Sequence, residues 1–183
     1  DLSVIWFDTP GNLDEKYARA LVNLVSKYQP NCLINSRIGC GYGDYTTLGD
    51  MKIPTKKEKG LWESIDTTND SWGFAKADSN WKSPKDIIQN LISVVSKGGT
   101  YMLNIGPKED GSIPILAKNT LEQTGTEILK YKEIIYGSKP SPFTSSFSWG
   151  DCVTKDTDLY VFVTNKSAPN RIILPGVTSK VTS

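Results

Sequence analysis

Three carboxylates stand at positions where a catalytic site could form. Asp8 ends the apolar run "VIWFD", Asp50 lies in the loop sequence "LGDMKIP", and Glu63 sits inside the run "LWESIDT". Because an unpaired buried charge is costly, a carboxylate that ends an apolar strand is expected to cap a helix, to be paired, or to act in catalysis. For Asp8, capping of a helix that starts near Asn12 and a catalytic role both stay open at this point.

The other two acids and their neighbours leave similar alternatives. Glu63 is either a buried acid that keeps its proton or a structural partner of Arg37 or a lysine. Arg37 ends a second apolar run and holds either a neighbouring acid or a substrate hydroxyl. Trp72, in a glycine-containing loop, either stacks on the apolar face of a sugar or packs against the protein. Acids combined with tryptophans favour glycoside hydrolysis, which needs two carboxyl groups flanking the scissile bond.

The composition excludes several other chemistries. The 183 residues contain no histidine, so Ser-His-Asp and Cys-His catalysis are excluded and a zinc site is disfavoured. The net charge of +1 gives no basic field for nucleic acid, and no apolar run is long enough to cross a membrane. Three widely spaced cysteines form neither a metal motif nor a disulfide framework. The abrupt start, without an initiating Met, suggests a mature fragment or a chain whose front is missing.

Strands alternate with helices over the first part of the chain. Apolar runs predict strands at 2–8, 31–37, 61–67 and 100–107. Helical periodicity and capping residues predict helices at 12–30, 83–99 and 113–137, with a break in the last near Gly125. The first helix is expected to be capped by Asn12 and to bury one face, formed by Leu13, Tyr17, Leu21, Leu24 and Tyr28. Residues 38–60 are predicted to be a long polar loop. The alternation predicts an α/β fold with parallel strands, whose carboxyl ends carry the polar residues.

After residue 137 the pattern changes to short strands and turns. The segment "SKPSPF" is predicted to be a linker, and runs near 145–154, 158–165 and 171–176 are predicted to be strands of a β-module. We therefore predict a domain over 1–137 and, over 138–183, a linker with the first strands of a second domain.

Several motifs coincide with one family. The sequences "VIWFD", "LINSR", "NWKSPKDIIQNLISVVSKGGTYMLNIGPKEDGSIP" and "IIYGSKPSPF" resemble the family 29 glycoside hydrolases, the α-L-fucosidases, from residue 1 to about 143. The resemblance implies the C-terminal half of a (β/α)8-like (TIM) barrel followed by a β-sandwich segment. It implies a retaining exo-hydrolase that releases terminal α-L-fucose from glycans through a covalent fucosyl-enzyme intermediate, without metal or cofactor, in a secreted, periplasmic or lysosomal setting.

The resemblance also assigns roles to residues. Asp8 corresponds to the nucleophile. The acid/base is Asp50 or Glu63: the spacing from Arg37 and Trp72 favours Asp50, and an alternative assignment gives the role to the glutamate after Trp62. Arg37, Trp72 and Trp6 of the "WFD" strand correspond to substrate-binding positions. A tryptophan at the Trp72 position packs against the apolar side of fucose.

The family pattern also contains features that this sequence lacks. Its fucose pocket uses histidines from the first half of the barrel, so we expect that this chain needs that half, in the same or a separate polypeptide, and is inactive alone. Two alternatives remain: an endo-acting fucan hydrolase on the same scaffold, and an inactive carbohydrate-binding fragment.

Overall fold

Five short parallel strands follow one another in chain order. The computed structural model describes residues 1–8, 13–165 and 171–178. The strands are β1 (Val4–Ile5), β2 (Leu33–Ile34), β3 (Thr46–Thr47), β4 (Trp62–Thr67) and β5 (Thr100–Asn104). β1 pairs with β2, β3, β4 and β5 pair in that order, and a parallel bridge from Asn35 to Tyr45 links the two sheets. The parallel α/β arrangement predicted from the sequence is confirmed for this part of the chain.

β3 corrects the prediction of a continuous loop over 38–60. Thr46 and Thr47 pair with Trp62 and Glu63 of β4, so the segment contributes a strand of its own. Two residues are too few to produce a periodic signal, which is why the pattern alone did not show the strand.

The helices lie within the ranges predicted for them. They are α1 (Glu15–Tyr28), α2 (Pro84–Ser96), α3 (Ile115–Lys130) and the short α4 (Lys132–Ile135). Ser83 and Asp86 form the predicted capping box at the start of α2. The break expected near Gly125 is wrong: α3 continues to Lys130, because one helical glycine costs only about 1 kcal/mol. The N-cap of α1 is Asp14, and the predicted cap, Asn12, lies outside the described residues.

The buried face of α1 differs from the prediction. Ala18 and Val25 are buried against β2, whereas Tyr17, Leu24 and Tyr28 are each more than half exposed. The helix carries two adjacent apolar stripes that share Leu21, and the small Ala18 side chain allows a close approach to the sheet. The sequence pattern could not distinguish the two stripes.

The last part of the chain forms an antiparallel sheet. Its strands are β6 (Lys139–Pro140), β7 (Gly150–Lys155) and β8 (Asp158–Val163), paired in that order. The strand predicted at 171–176 is wrong, since the described residues 171–178 contain turns and no strand. A strand persists only where its backbone groups find partners, and this short run meets the Pro175–Gly176 turn instead. No helix in the described ranges is long and apolar enough to span a lipid bilayer.

A buried ion pair joins the C-terminal end of α2 to β7. The Lys97 Nζ lies 3.3 Å from Asp151 Oδ1, and both residues are buried. The hydroxyls of Ser96 and Ser146 donate to the same Asp151 oxygen at 3.1 and 2.7 Å. Burial lowers the pKa of Lys97, and the Asp151 charge opposes that shift. The parallel and antiparallel parts are therefore held together by a desolvated charge pair.

Replacing Lys97 with methionine is expected to destabilise the protein by about 3–5 kcal/mol, because Asp151 would remain buried without its cation. The measurement is the free energy of unfolding from denaturant titration. Lys118→Met is the matched control, since Lys118 pairs with Glu122 at 3.8 Å on the exposed surface of α3, where such pairs contribute about 0–1 kcal/mol. Equal losses in the two variants would contradict the assigned role of Lys97.

Candidate active site

Asp8 follows β1 at the carboxyl end of the sheet. Regular pairing stops at Ile5, so the predicted strand over 2–8 is shorter than expected. The buried Asn35 side chain then takes the place of a neighbouring strand: its Oδ1 accepts from the Phe7 N–H at 2.8 Å and its Nδ2 donates to the Phe7 carbonyl at 2.9 Å. This pair of hydrogen bonds fixes the backbone immediately before Asp8. Because α1 begins at Glu15, Asp8 does not cap it.

Arg37 connects the two exposed carboxylates. It lies on a 3-10 turn, Ser36–Ile38, directly after β2. Its Nη1 is 3.0 Å from Asp8 Oδ1, and its Nη2 contacts Asp50 Oδ1 and lies 3.4 Å from the Leu48 carbonyl. Burial would lower the pKa of Arg37, but hydrogen bonds and charges from Asp50 and Asp8 outweigh it and raise the pKa. The guanidinium therefore stays charged and holds both acids at one place.

Asp50 occupies the tip of a turn that runs beside β4. Its side chain is 52% exposed and that of Asp8 58%, whereas Arg37 is only 19% exposed. The arginine thus lies beneath two acids that face the solvent. The sequence alone gave no indication that Asp8 and Asp50, 42 positions apart in the chain, share one partner.

Glu63 is buried, with 8% of its surface exposed, and its contacts differ from those expected. Its Oε1 accepts from the Trp6 Nε1 at 2.7 Å and from the Thr47 hydroxyl at 3.3 Å. It is not paired with Arg37, whose guanidinium instead lies over the Trp6 ring at 5.0 Å from the centroid. Glu63 is therefore in contact with Trp6, and Trp6 in turn supports Arg37.

Trp72 is held in place through its backbone. Asn104, at the end of β5, donates from Nδ2 to the Trp72 carbonyl at 2.7 Å. A Cβ added to Gly106 would lie 2.5 Å from the Gly73 carbonyl carbon, so only glycine allows this close approach. Trp72 as a whole is 38% exposed, and it lines the cleft described below. The loop is therefore fixed from below, and its ring is available to a ligand.

Asp8, Arg37, Asp50, Trp72 and Trp6 line one open cleft of about 810 Å³. It brings together five of the six predicted site residues, and the sixth, Glu63, is buried beneath Trp6. The lining residues are Trp6, Asp8, Arg37, Asp50, Ile65, Trp72, Met102, Leu103, Asn104 and Ile105. Its apolar wall comes from β4 and β5, and its charged groups come from the segments that follow β1, β2 and β3.

Sequence reasoning missed two supporting residues, Asn35 and Asn104. Each is a polar residue at the end of a strand, Asn35 in "LINSR" and Asn104 in "MLNIG". An amide at the end of a strand needs hydrogen-bond partners where it is shielded from water, as Asn35 is fully and Asn104 partly, and this was the available signal. Within the described ranges, no group of three or more His, Cys, Asp or Glu residues could hold a metal ion. The charged side chains among the lining residues are the two carboxylates, Asp8 and Asp50, and Arg37.

Ionisation of the Tyr45 phenol tests whether this side chain is buried near the Glu63 charge. Burial, and then the Glu63 charge, raise the pKa of Tyr45 from 10.0 to about 12. The folded state therefore disfavours the phenolate, so the contribution of Tyr45 to stability is fully present below pH 10 and is lost as the pH rises through about 12. Tyr45→Phe cannot ionise, so the variant is expected to lose less stability over that interval. Denaturant titrations of both proteins at several alkaline pH values measure the difference, and parallel curves would contradict it.

A pair of carboxylates beside an arginine and two tryptophans is the kind of site that a glycoside hydrolase uses. The comparisons with known proteins agree with this class. A family model described as Alpha-L-fucosidase matches residues 1–133. The chain belongs to the α-L-fucosidase family, which confirms the resemblance of its motifs.

The relatives and similar structures described here are longer than this chain. The tissue α-L-fucosidase of Mus musculus is 31% identical over 75% of this chain and 33% of the relative. Isoenzyme 1 of Paenibacillus thiaminolyticus matches with a TM-score of 0.82 and 30% identity, over 88% of this chain and 42% of its own. The α-L-fucosidase AlfC from Lactobacillus casei, in complex with α-L-fucose product, matches with a TM-score of 0.65 and 37% identity, over 73% of this chain and 41% of its own. The chain spans about a third of the length of the curated relatives it matches.

Two of the similar structures contain bound ligands. AlfC mutants are in complex with 4-nitrophenyl-α-L-fucopyranoside and with Fucα(1,6)GlcNAc. AlfC therefore binds a synthetic aryl fucoside and a fucosylated disaccharide.

Proposed function

We propose that this chain supplies the nucleophile and the acid/base of a retaining exo-α-L-fucosidase that hydrolyses terminal α-L-fucose from glycans. The observation that carries the proposal is the single arginine that joins Asp8 and Asp50 in one cleft. Two carboxylates held by one guanidinium lie near each other, and retention requires carboxyl groups about 5–5.5 Å apart. Membership of the α-L-fucosidase family indicates that the sugar released is α-L-fucose.

Asp8 acts as the nucleophile. Its carboxylate attacks the anomeric carbon of fucose while the bond to the leaving oxygen breaks, and Asp50 donates a proton to that oxygen. The product of this step is a covalent fucosyl ester on Asp8. Asp50 then removes a proton from water, which attacks the same carbon and releases fucose with its original anomeric configuration.

The positions of the two candidate acids support Asp50 over Glu63. A proton donor must reach the glycosidic oxygen, and Asp50 is half exposed in the cleft. Glu63 is buried, and its Oε1 accepts hydrogen bonds from Trp6 and Thr47. Glu63 therefore serves to orient Trp6, and through it the surface beneath Arg37.

The Arg37–Asp50 ion pair must loosen during the reaction. An ion pair requires an ionised Asp50, whereas the first step requires a protonated one. Entry of the substrate brings the glycosidic oxygen to Asp50 and sugar hydroxyls to Arg37, so each group exchanges one partner for another. Trp72 and the apolar wall of the cleft are suited to the apolar side of fucose and its C6 methyl group.

The architecture supports a barrel that this chain only partly forms. The chain has five parallel strands in chain order, with helices α1 and α2 between some of them. We infer that residues 1–137 are the C-terminal half of a (β/α)8-like barrel and that 138–183 are a linker and the first strands of a β-sandwich domain. The exposed side chains of Val4 in β1 and of Leu24 and Tyr28 in α1 would be covered by the remaining strands and helices. We infer that the N-terminal half of the barrel, in the same or a separate polypeptide, completes the site. "Complete enzyme" below means this chain together with that half.

The setting that suits this activity is secreted, periplasmic or lysosomal, because fucosylated glycans occur there. Two relatives are named plasma α-L-fucosidases, of Rattus norvegicus and Homo sapiens. Fractionation of the source cells, followed by detection with an antibody to this chain, measures the location. Recovery in the cytosol alone would contradict this part of the proposal.

The function is tested with purified complete enzyme and 4-nitrophenyl-α-L-fucopyranoside. Proton NMR during the first minutes is expected to show α-L-fucose as the first product, before the anomers equilibrate. Denaturing mass spectrometry shows whether one or two polypeptides are present. A first product in the β-configuration, or release of other sugars in preference to fucose, would overturn the proposal.

A further inference from the structure

The turn that carries Asp50 has an unusual backbone. The Lys52 N–H donates to the Gly49 carbonyl at 3.2 Å, which closes a four-residue turn with Asp50 and Met51 at its centre. Met51 has a φ of 54°, in the left-handed region that side-chain-bearing residues seldom adopt. Such a conformation persists only where its surroundings impose it, and it is concentrated at functional sites.

The surroundings of this turn do impose the conformation. The Leu48 N–H donates to the Glu63 carbonyl at 2.9 Å, and the Met51 N–H donates to the Ile65 carbonyl at 3.0 Å. The Ser64 hydroxyl donates to the Lys52 carbonyl at 2.6 Å. The turn is therefore fixed to β4 on both sides of Asp50, and Asp50 itself projects from the tip toward Arg37.

The Met51 side chain does not explain why this residue has a left-handed backbone. It is 39% exposed, so its burial contributes little. Its backbone angle sets the direction in which the chain continues after Asp50. An extended Met51 that kept its N–H bond to the Ile65 carbonyl would direct the Lys52 carbonyl away from the Ser64 hydroxyl, so the turn that carries Asp50 would lose one of its bonds to β4.

We propose that Met51 is a positioning residue whose left-handed backbone aims the Asp50 carboxyl at the glycosidic oxygen. The inference rests on the proposed function, in which Asp50 is the acid/base. It adds that the orientation of the acid, and so the protonation of the leaving group, depends on the conformation of the next residue.

The test compares two leaving groups in the complete enzyme. Met51→Val places a β-branched residue where the left-handed region is most unfavourable. The expected result is a loss of about tenfold in kcat/KM for Fucα(1,6)GlcNAc, whose leaving group needs a proton, from the cost of the left-handed conformation. The loss for 4-nitrophenyl-α-L-fucopyranoside, whose leaving group needs little protonation, is expected to be several times smaller.

Asp156→Val is the matched control, because Asp156 has a φ of 52° in the turn between β7 and β8, outside the cleft. It introduces the same backbone strain and is expected to lower the melting temperature without changing the ratio of the two kcat/KM values. Met51→Asn, which tolerates the left-handed region, is expected to restore the ratio. If Met51→Val fails to fold, Met51→Thr, also β-branched but polar, replaces it.

An unchanged ratio in Met51→Val would overturn the inference, provided that Asp50→Ala changes the ratio in the same assay. An unchanged ratio in Asp50→Ala would instead show that the assignment of Asp50 is wrong. The two failures are therefore distinguishable.

Discussion

Replacing Asp8 with glycine is expected to reduce hydrolysis of 4-nitrophenyl-α-L-fucopyranoside by the complete enzyme by about 10⁴-fold or more, the scale of losses seen when a nucleophile is removed. Without the carboxylate, no covalent intermediate forms and the glycosidic bond has no attacking group. Added azide is expected to restore turnover by entering the space left by the side chain. It attacks the face that Asp8 would have attacked, so the product is β-L-fucosyl azide, which NMR identifies.

The control for this variant is Asp156→Gly. Asp156 lies in a turn of the β-module and has a positive φ that glycine adopts readily. It is expected to keep full activity. Full activity in Asp8→Gly, or the absence of a β-azide product from an inactive but folded variant, would contradict the assignment of Asp8 as nucleophile.

Replacing Asp50 with alanine is expected to give a loss that depends on the leaving group. For Fucα(1,6)GlcNAc the loss in kcat/KM is about 10²–10⁴-fold, because a general acid contributes that much when the leaving oxygen must be protonated. For the nitrophenyl substrate the first step needs little help. Azide is expected to speed release of the covalent intermediate and to give α-L-fucosyl azide, with the configuration retained.

The comparison with Glu63→Gln decides between the two candidate acids. Glutamine cannot donate an acidic proton, but its amide oxygen can still accept from the Trp6 indole, which Glu63 now does at 2.7 Å. A positioning role predicts a modest, leaving-group-independent loss in Glu63→Gln and a larger one in Glu63→Leu, which cannot accept that hydrogen bond. If Glu63→Gln shows the leaving-group dependence and the α-azide product while Asp50→Ala does not, the assignments must be exchanged.

Much of the α/β framework could be predicted from the sequence because its signals are local. β4 is a six-residue run that is buried throughout, and α2 carries its start signal in the Ser83–Asp86 capping box. The elements that were missed or misplaced depend on tertiary contacts. β3 has two residues and exists because β4 pairs with it. The orientation of α1 depends on the contact between Ala18 and the sheet. The helix has a second apolar stripe, so the sequence pattern did not show which stripe is buried.

For the site, the residue types were predictable but their relations were not. Strand-end position singled out Asp8 and Arg37, loop position singled out Asp50 and Trp72, and the family motifs assigned their roles. That one guanidinium reaches both acids depends on the turns after β2 and β3, whose geometry no periodicity encodes. The same holds for Glu63: its place in a buried strand predicted burial, but only the structure shows that its partner is Trp6.

The left-handed backbone of Met51 could not be predicted from the sequence. A glycine or asparagine at position 51 would have indicated a left-handed backbone, whereas methionine is not associated with that conformation. The conformation follows from bonds to Glu63, Ser64 and Ile65, which lie more than ten residues further along the chain.

The measurement that tests the central claim most directly is covalent labelling of the complete enzyme with 2-deoxy-2-fluoro-α-L-fucosyl fluoride. The fluorine at C2 slows hydrolysis of the glycosyl ester, so the intermediate accumulates. Peptide mass spectrometry is expected to find one added fluorofucosyl group per active site, on Asp8. A label on Asp50 or Glu63 would contradict the assignment of Asp8 as the nucleophile of a retaining α-L-fucosidase. Hydrolysis of the fluorofucosyl fluoride without any labelled peptide would contradict it as well.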